Sequence, residues 1–193
     1  MGAKIIVPEM IFDFIASVLL LALLSPLFFL CALIVRMGSP GPVIYSSKRV
    51  GRGNAFFMMP KFRTMRVDTP QVATHLLVDS SAYLAPAGSF LRRTSLDELP
   101  QLWSVLIGDM SLVGPRPALF NQDDLVAMRT AAGVHILSPG ITGWAQINGR
   151  DELPLERKVE LDEYYLKHRS LFFDLKILFI TILKVFKTEG VSH

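Results

Sequence analysis

Asp97 and Glu98 are adjacent carboxylates in the stretch LRRTSLDELPQLW, residues 91–103. They follow Arg92 and Arg93 and precede Leu99, Leu102, Trp103 and Leu106, an apolar series with helical spacing. Two readings fit. In one, Ser95-Leu96-Asp97-Glu98 is a capping box, with Ser95 as N-cap and Glu98 at N3, and the acids only complement the helix dipole. In the other, the pair does chemistry. A helix start offers free N–H groups and positive potential to a phosphate. The same field favours ionised Asp97, the form a carboxylate nucleophile requires. Pro100 sits poorly inside a helix that begins at Leu96, so a start nearer Leu99 also fits. Arg92 and Arg93 suit phosphate oxygens. Arg116 lies in GPRP, residues 114–117, where the flanking prolines restrict its backbone, as befits either a rigid turn or a fixed anion-binding arginine. Carboxylates, Mg²⁺ and fixed arginines are together the ingredients of phosphoryl transfer.

The composition narrows the setting. Hydrophobic residues make up 51% of the chain, which favours membrane association over a free soluble protein. A net charge of +3 suits a lipid headgroup surface or a phosphate-bearing substrate, and no nucleic-acid-binding motif accompanies it. The single cysteine, Cys31, excludes a disulfide within one chain and a cysteine metal site. The four histidines are scattered, so a bound metal should be a hard cation on oxygen ligands.

The elements that must position these residues begin with an uncharged run, residues 14–35. As a straight helix it would measure about 33 Å, enough to cross a bilayer core. Its length and the lack of a small-residue cleavage site argue against a signal peptide. Ser25-Pro26 divides it. Pro26 cannot donate to the Ala22 carbonyl, so the run is either a kinked span or a re-entrant helix that leaves on the side it entered. Basic residues cluster after it (Arg36, Lys48, Arg49, Arg52), which places the bulk of the chain in the cytoplasm either way.

Beyond the GSPGP turn, residues 38–42, the segments PVIYSS and NAFFMMP read as a hairpin, followed by the basic KFRTMR, residues 61–66. Residues 68–87 read as an exposed loop, 95–107 as a helix, 108–117 as a turn-rich connection and 121–133 as a helix ended by Gly133. Residues 138–150 read as a glycine-rich loop, and 151–168 as an amphipathic helix entered through Pro154. The run 171–187 is too interrupted to span. Lys176, Lys184 and Lys187 share one face, which suits a helix lying in the membrane interface or a core helix with solvated lysines.

KFRTM, SLDELPQLWSVLIGDMSLVGPRP, PGITGWAQINGR, ELDEYYL and DLKILFITILKVF together make the chain resemble the bacterial polyprenyl-phosphate phosphoglycosyl transferases. The resemblance is to the small monotopic form, with little beyond the catalytic domain. It implies a mostly helical α+β fold with a re-entrant membrane helix over 1–37. It also implies a catalytic domain over 38–193 on the cytoplasmic face of the bacterial inner membrane, a short hairpin and interfacial amphipathic helices. The implied reaction moves sugar-1-phosphate from a UDP-sugar to polyprenyl phosphate, with Mg²⁺ and release of UMP. By the same resemblance Asp97 is the nucleophile and Glu98 helps hold the metal. Arg92 and Arg116 bind phosphate, and Ser25-Pro26 makes the membrane bend. Lys61, Arg63, Arg150, Thr142 and Trp144 are further substrate-side candidates, Asp162 stands in a family motif, and a homodimer is compatible. A hydrolase using the two carboxylates, or a membrane-anchored scaffold in which they merely cap a helix, are the alternatives. Adjacent acids are poorly placed to flank a glycosidic bond.

Overall fold

A computed structural model of the chain describes residues 7–69, 83–149 and 153–187. Helix α1, Val7–Gly38, leads into an antiparallel hairpin of β1, Ile44–Val50, and β2, Phe56–Phe62, with Lys48 opposite Met58. Short helices α2, Gly88–Arg93, and α3, Gln101–Leu106, follow. Strand β3, Ser111–Val113, pairs in parallel with β4, Gly140–Thr142, and α4, Asp123–Ala131, lies between them in sequence. The chain ends through α5, Trp144–Ile147, α6, Leu155–His168, and α7, Leu171–Lys187. The fold is a mostly helical α+β arrangement. Its main core gathers Met59, Leu102, Val105, Leu112, Val134, Tyr165 and Ile177 from both halves of the chain.

Helix α1 is bent by 63° between Pro8–Leu23 and Ser25–Gly38. The cause is Pro26, which removes one backbone donor. Ser25 compensates: its hydroxyl donates to the Ala22 carbonyl at 2.9 Å, the acceptor that Pro26 leaves open. Among the described residues no single straight helix is long and apolar enough to cross a membrane, whereas the bent pair meets that test together. The inner face of α1 packs against α3, β2 and β3. Leu23 and Phe29 are among the residues that leave its other face apolar and exposed.

The hairpin, α4 and α6 form as the sequence reading expects, with Gly133 in the left-handed region at φ 75° and Pro154 directly before α6. Two expectations change. The expected loop 138–150 contains β4 and α5, and the expected connection 108–117 contains β3. Three-residue strands have no alternation to read, and each forms only because the other lies beside it. The approach is so close that a Cβ on Gly143 would strike the Gly114 carbonyl. The capping box is also absent. Ser95 takes a left-handed φ of 56° and makes no cap, Leu96–Glu98 form one 3-10 turn, and α3 starts only after Pro100. Trp103 faces outward, and the buried stripe of α3 is Gln101, Leu102, Ser104 and Val105.

Helix α7 packs one face on the domain, as the core-helix reading expects, and leaves apolar side chains on the other. Asp174 and Ile177 are buried against the domain, while Phe172, Phe179 and Ile182 point outward. Asp174 accepts a hydrogen bond from the Tyr165 hydroxyl at 2.7 Å. Arg169 on the same side bonds Glu9 of α1 at 2.7 Å, and Asp13 of α1 accepts from the Leu112 amide at 3.2 Å. This buried polar seam ties the first arm of α1 to the C-terminal helices.

Burial pushes the Asp174 carboxyl up to about 7; the Tyr165 hydrogen bond and Arg169 oppose this, and Glu9 and Asp13 add to it. A carboxyl raised in the fold is protonated there while ionised in the unfolded chain. Its contribution to stability is therefore full below about pH 4 and is lost as the pH rises to about 7. Asp174→Asn keeps a partner for Tyr165 but cannot ionise. It is expected to reduce the fall in Tm between about pH 5 and pH 8, measured by thermal unfolding in detergent. A variant with the wild-type slope would show that Asp174 does not govern it.

Candidate active site

The 3-10 turn at Leu96–Glu98 sits between α2 and α3, against β2. Leu96 and Leu99 pack into a small core with Phe62, Leu91, Cys31 and Val35, so the turn is anchored both to the hairpin and to the second arm of α1. This leaves Asp97 7% exposed. Three cations from three elements converge on it and on Glu98. Lys61 of β2 reaches Glu98 Oε1 at 2.7 Å, and both side chains are 18% exposed. Arg116, from the loop after β3, approaches the same oxygen at 3.4 Å. Arg92, at the end of α2, donates from Nε to the Thr64 hydroxyl at 2.9 Å and acts on Asp97 through its charge.

Asp97 itself is held by burial and charge, with no hydrogen bond among the described residues contributing to its titration. Its carboxyl is pushed up to about 6, chiefly by burial. Lys61, Arg92 and Arg116 pull it down, and Glu98 pushes it up. The expectation that a helix start would favour ionised Asp97 therefore gives way. The 3-10 turn provides little dipole, and desolvation outweighs it. Two adjacent carboxylates, one of them buried, form a strongly anionic place even with Lys61, Arg92 and Arg116 around it. Among the described residues no group of three or more potential ligands forms a metal cage. Mg²⁺ fits such a place, because it is commonly held by one or two carboxylates and completes its shell with water and substrate phosphate oxygens. Asp97 and Glu98 are the residues that would hold it.

The structure thus brings together Asp97, Glu98, Lys61, Arg92 and Arg116. The other described candidates have partners outside this cluster. Arg63 is buried and donates to the Ser39 and Pro40 carbonyls at 2.9 and 2.7 Å, clasping the turn where α1 ends. The Thr142 hydroxyl bonds that of Thr181 on α7 at 2.7 Å. Trp144 stacks on Tyr164, with centroids 5.9 Å apart, and lies beneath Lys176. Arg150 falls outside the described residues. Arg129 and Arg49, which sequence reasoning passed over, hold the Arg116 loop: Arg129 donates to the Arg116 carbonyl at 2.8 Å and Arg49 to that of Pro117 at 3.3 Å. Their positions in α4 and β1 gave no local sign of that role, since each acts on a loop far away in sequence.

Buried Asp97 and partly buried Glu98 thus sit among Lys61, Arg92 and Arg116, on a turn packed against the bent apolar helix. The chain belongs to the bacterial sugar transferase family, whose model matches residues 5–188. It is 42% identical, over 95% of its length and 89% of the relative's, to an uncharacterized sugar transferase of Bacillus subtilis (strain 168). It is 40% identical to the UDP-glucose:undecaprenyl-phosphate glucose-1-phosphate transferase of Caulobacter vibrioides, covering 93% of this chain and 70% of that one. It is likewise 40% identical to the protein of the same name from Escherichia coli (strain K12), covering 92% of this chain but only 40% of that protein. The chain therefore spans less than half the length of some curated relatives.

Lys61 is the nearest described cation to this acidic pair. Lys61→Met removes a charge that lowers Asp97 and leaves Glu98 with weaker compensation, so ionised Asp97 becomes harder to form. Turnover of donor is expected to fall about ten- to a hundredfold at pH 7, and by a larger factor at pH 6 than at pH 8. Equal loss at all three values would show that Lys61 does not act through the Asp97 charge.

Proposed function

We propose that this protein transfers sugar-1-phosphate from a UDP-sugar to a polyprenyl phosphate at a membrane surface, releasing UMP. The observation that carries this reading is the convergence of Lys61, Arg92 and Arg116 on buried Asp97 and its neighbour Glu98, in a chain whose family relatives include named undecaprenyl-phosphate sugar-1-phosphate transferases. In the first step Asp97 Oδ attacks the β-phosphorus of the donor. The bond from that phosphorus to the UMP oxygen breaks, UMP leaves with the electron pair, and an aspartyl-phosphosugar remains. In the second step a phosphate oxygen of the polyprenyl phosphate attacks the same phosphorus, and the Asp97 carboxylate departs unchanged. Arg116 and Arg92 neutralise charge on the phosphoryl oxygens, and Arg116 suits their fork geometry. Lys61 keeps Glu98 in place. Mg²⁺, when bound by Asp97 and Glu98, supplies further neutralisation of the donor's phosphates.

Burial of Asp97 serves this role in two ways. It excludes competing water from the acyl phosphate, and it leaves the nucleophile poorly solvated and therefore reactive. Protonated Asp97 has no free pair of full nucleophilic strength, so the cations around it set how much of it is ready near neutral pH.

Membrane attachment is the second part of the proposal. Residues 1–37 form a re-entrant element and 38–193 a catalytic domain on the cytoplasmic face of the bacterial inner membrane. The 63° bend, the Ser25–Ala22 hydrogen bond and the exposed apolar outer faces of α1 and α7 support it. Each arm of α1 is about 20–24 Å long, too short to cross a core of about 30 Å alone. The lipid substrate would then arrive at the level of the turn that carries Asp97.

The reaction is tested by incubating the purified protein with Mg²⁺, undecaprenyl phosphate and a panel of UDP-sugars. UMP is the expected nucleotide product for at least one donor; UDP would mean ordinary glycosyl transfer and overturn the reading. Topology is tested in a Cys31→Ser background with single cysteines at Ala3 or Ser39. Both are expected to resist a membrane-impermeant thiol reagent until cells are opened. Labelling at residue 3 in intact cells would establish a spanning helix instead.

A further inference from the structure

The loop that presents Arg116 is packed on both sides of that residue: Pro115 and Pro117 are buried, and Ala118 lies against Leu125 and Val159, while the Arg116 side chain itself is partly exposed. Residues 115–118 line one wall of a cavity of about 30 Å³, shared with Asn54, Arg129 and His135. Its carbonyls are bonded as well: that of Pro115 accepts from the Gly140 amide and that of Ala118 from the Val50 amide, both at 2.9 Å. The strongest of these bonds comes from Arg129 on α4, whose Nη1 donates to the Arg116 carbonyl at 2.8 Å. The same guanidinium grips Asp162 of α6 with its other edge, Nε at 2.9 Å and Nη2 at 2.7 Å from Oδ2. The side chains are 11% and 2% exposed, so this is a charge pair placed in the interior. Such a pair adds little net stability over an apolar pair of the same size, because both charges lose their hydration. Its distinctive property is direction: the planar fork, fixed on Asp162, can point its remaining N–H groups only one way.

We propose that Arg129, oriented by Asp162, is a positioning residue that sets the Arg116 guanidinium at the donor's phosphates. The inference rests on the transferase reading above and adds a residue to it. With Pro115 and Pro117 restricting the backbone on either side, fixing the carbonyl of residue 116 fixes its Cα and the direction in which its side chain leaves. Displacing that carbonyl by a fraction of an ångström swings the guanidinium, at the end of a long side chain, by considerably more. Helices α4 and α6 therefore reach the site through this hydrogen bond, beside the packing of Ala118 on Leu125 and Val159, although neither carries a residue of the carboxylate cluster.

Two variants separate positioning from support of the fold. Arg129→Lys keeps a cation for Asp162 but lacks the fork that reaches both partners. Arg129→Met combined with Asp162→Leu replaces the buried pair by apolar groups, a change that buried pairs tolerate. Both are expected to unfold close to the wild-type temperature. Both should bind UDP with Mg²⁺ about tenfold more weakly by calorimetry, and lower kcat/KM for the UDP-sugar about ten- to a hundredfold, chiefly through KM. The deciding measurement is a cycle with Arg116→Ala. If Arg129 acts through Arg116, Arg129→Lys causes no further loss of UDP binding or turnover in the Arg116→Ala background. Equal losses in both backgrounds, or wild-type binding and turnover in either folded variant, would overturn the proposal. A wild-type protein that binds UDP but releases no UMP would defeat the transferase reading instead, and the binding arms of the cycle would still decide the role of Arg129.

Discussion

The structure turns on keeping Asp97 buried next to Glu98 without leaving two negative charges uncompensated. Adjacent carboxylates in a weakly solvated place repel one another and lose hydration, and without compensation one of them would stay protonated. The Lys61–Glu98 ion pair at 2.7 Å supplies the first compensation. It also links β2 to the 3-10 turn, so the electrostatic requirement doubles as a structural joint. Arg92 and Arg116 complete the balance from two further elements. The hairpin, α2 and the loop after β3 can be understood as three supports, each bringing one cation to a turn too short to supply its own.

The same turn is joined to the apolar helix. Leu96 and Leu99 pack with Cys31 and Val35 on the second arm of α1, beyond the Pro26 bend. Arg63, two residues after Lys61, clasps the chain where that arm ends. The first arm is fixed separately, through the Glu9–Arg169 pair and the Asp13 contact to β3. A bend in α1 thus separates two anchored arms. One adjoins the carboxylates and the other adjoins α7, so the angle between them sets how the carboxylate turn lies relative to both apolar surfaces.

Much of this was legible in the residues, and the failures have physical causes. The hairpin, α4, α6 and α7 carry alternation or helical periodicity long enough to read. Pro26 announces its bend because proline removes a donor wherever it stands. The acidic pair read as candidate chemistry because its neighbours were arginines, and the structure places three cations around it. The capping box was not real, because Pro100 stops a helix from forming over 96–100 and Ser95 is drawn into a left-handed turn. Strands β3 and β4 escaped notice because their stability lies in each other, 29 residues apart at Ser111 and Gly140. Arg63, Thr142 and Trp144 were candidates through the family motifs that hold them; the structure gives them partners in Ser39 and Pro40, Thr181, and Tyr164, which the sequence could not show. Arg129 was missed for the converse reason: a role exercised on a distant backbone carbonyl leaves no trace in local pattern.

The central claim is that Asp97 itself takes up the phosphosugar. The most direct test is the intact mass of the protein after incubation with Mg²⁺ and an accepted UDP-sugar, with the polyprenyl acceptor withheld. The expected result is a gain of one sugar-phosphate mass, mapped to Asp97 by peptide sequencing, absent from Asp97→Asn and discharged when polyprenyl phosphate is added. An unmodified protein under conditions where the complete mixture releases UMP, or an adduct on another residue, would contradict it.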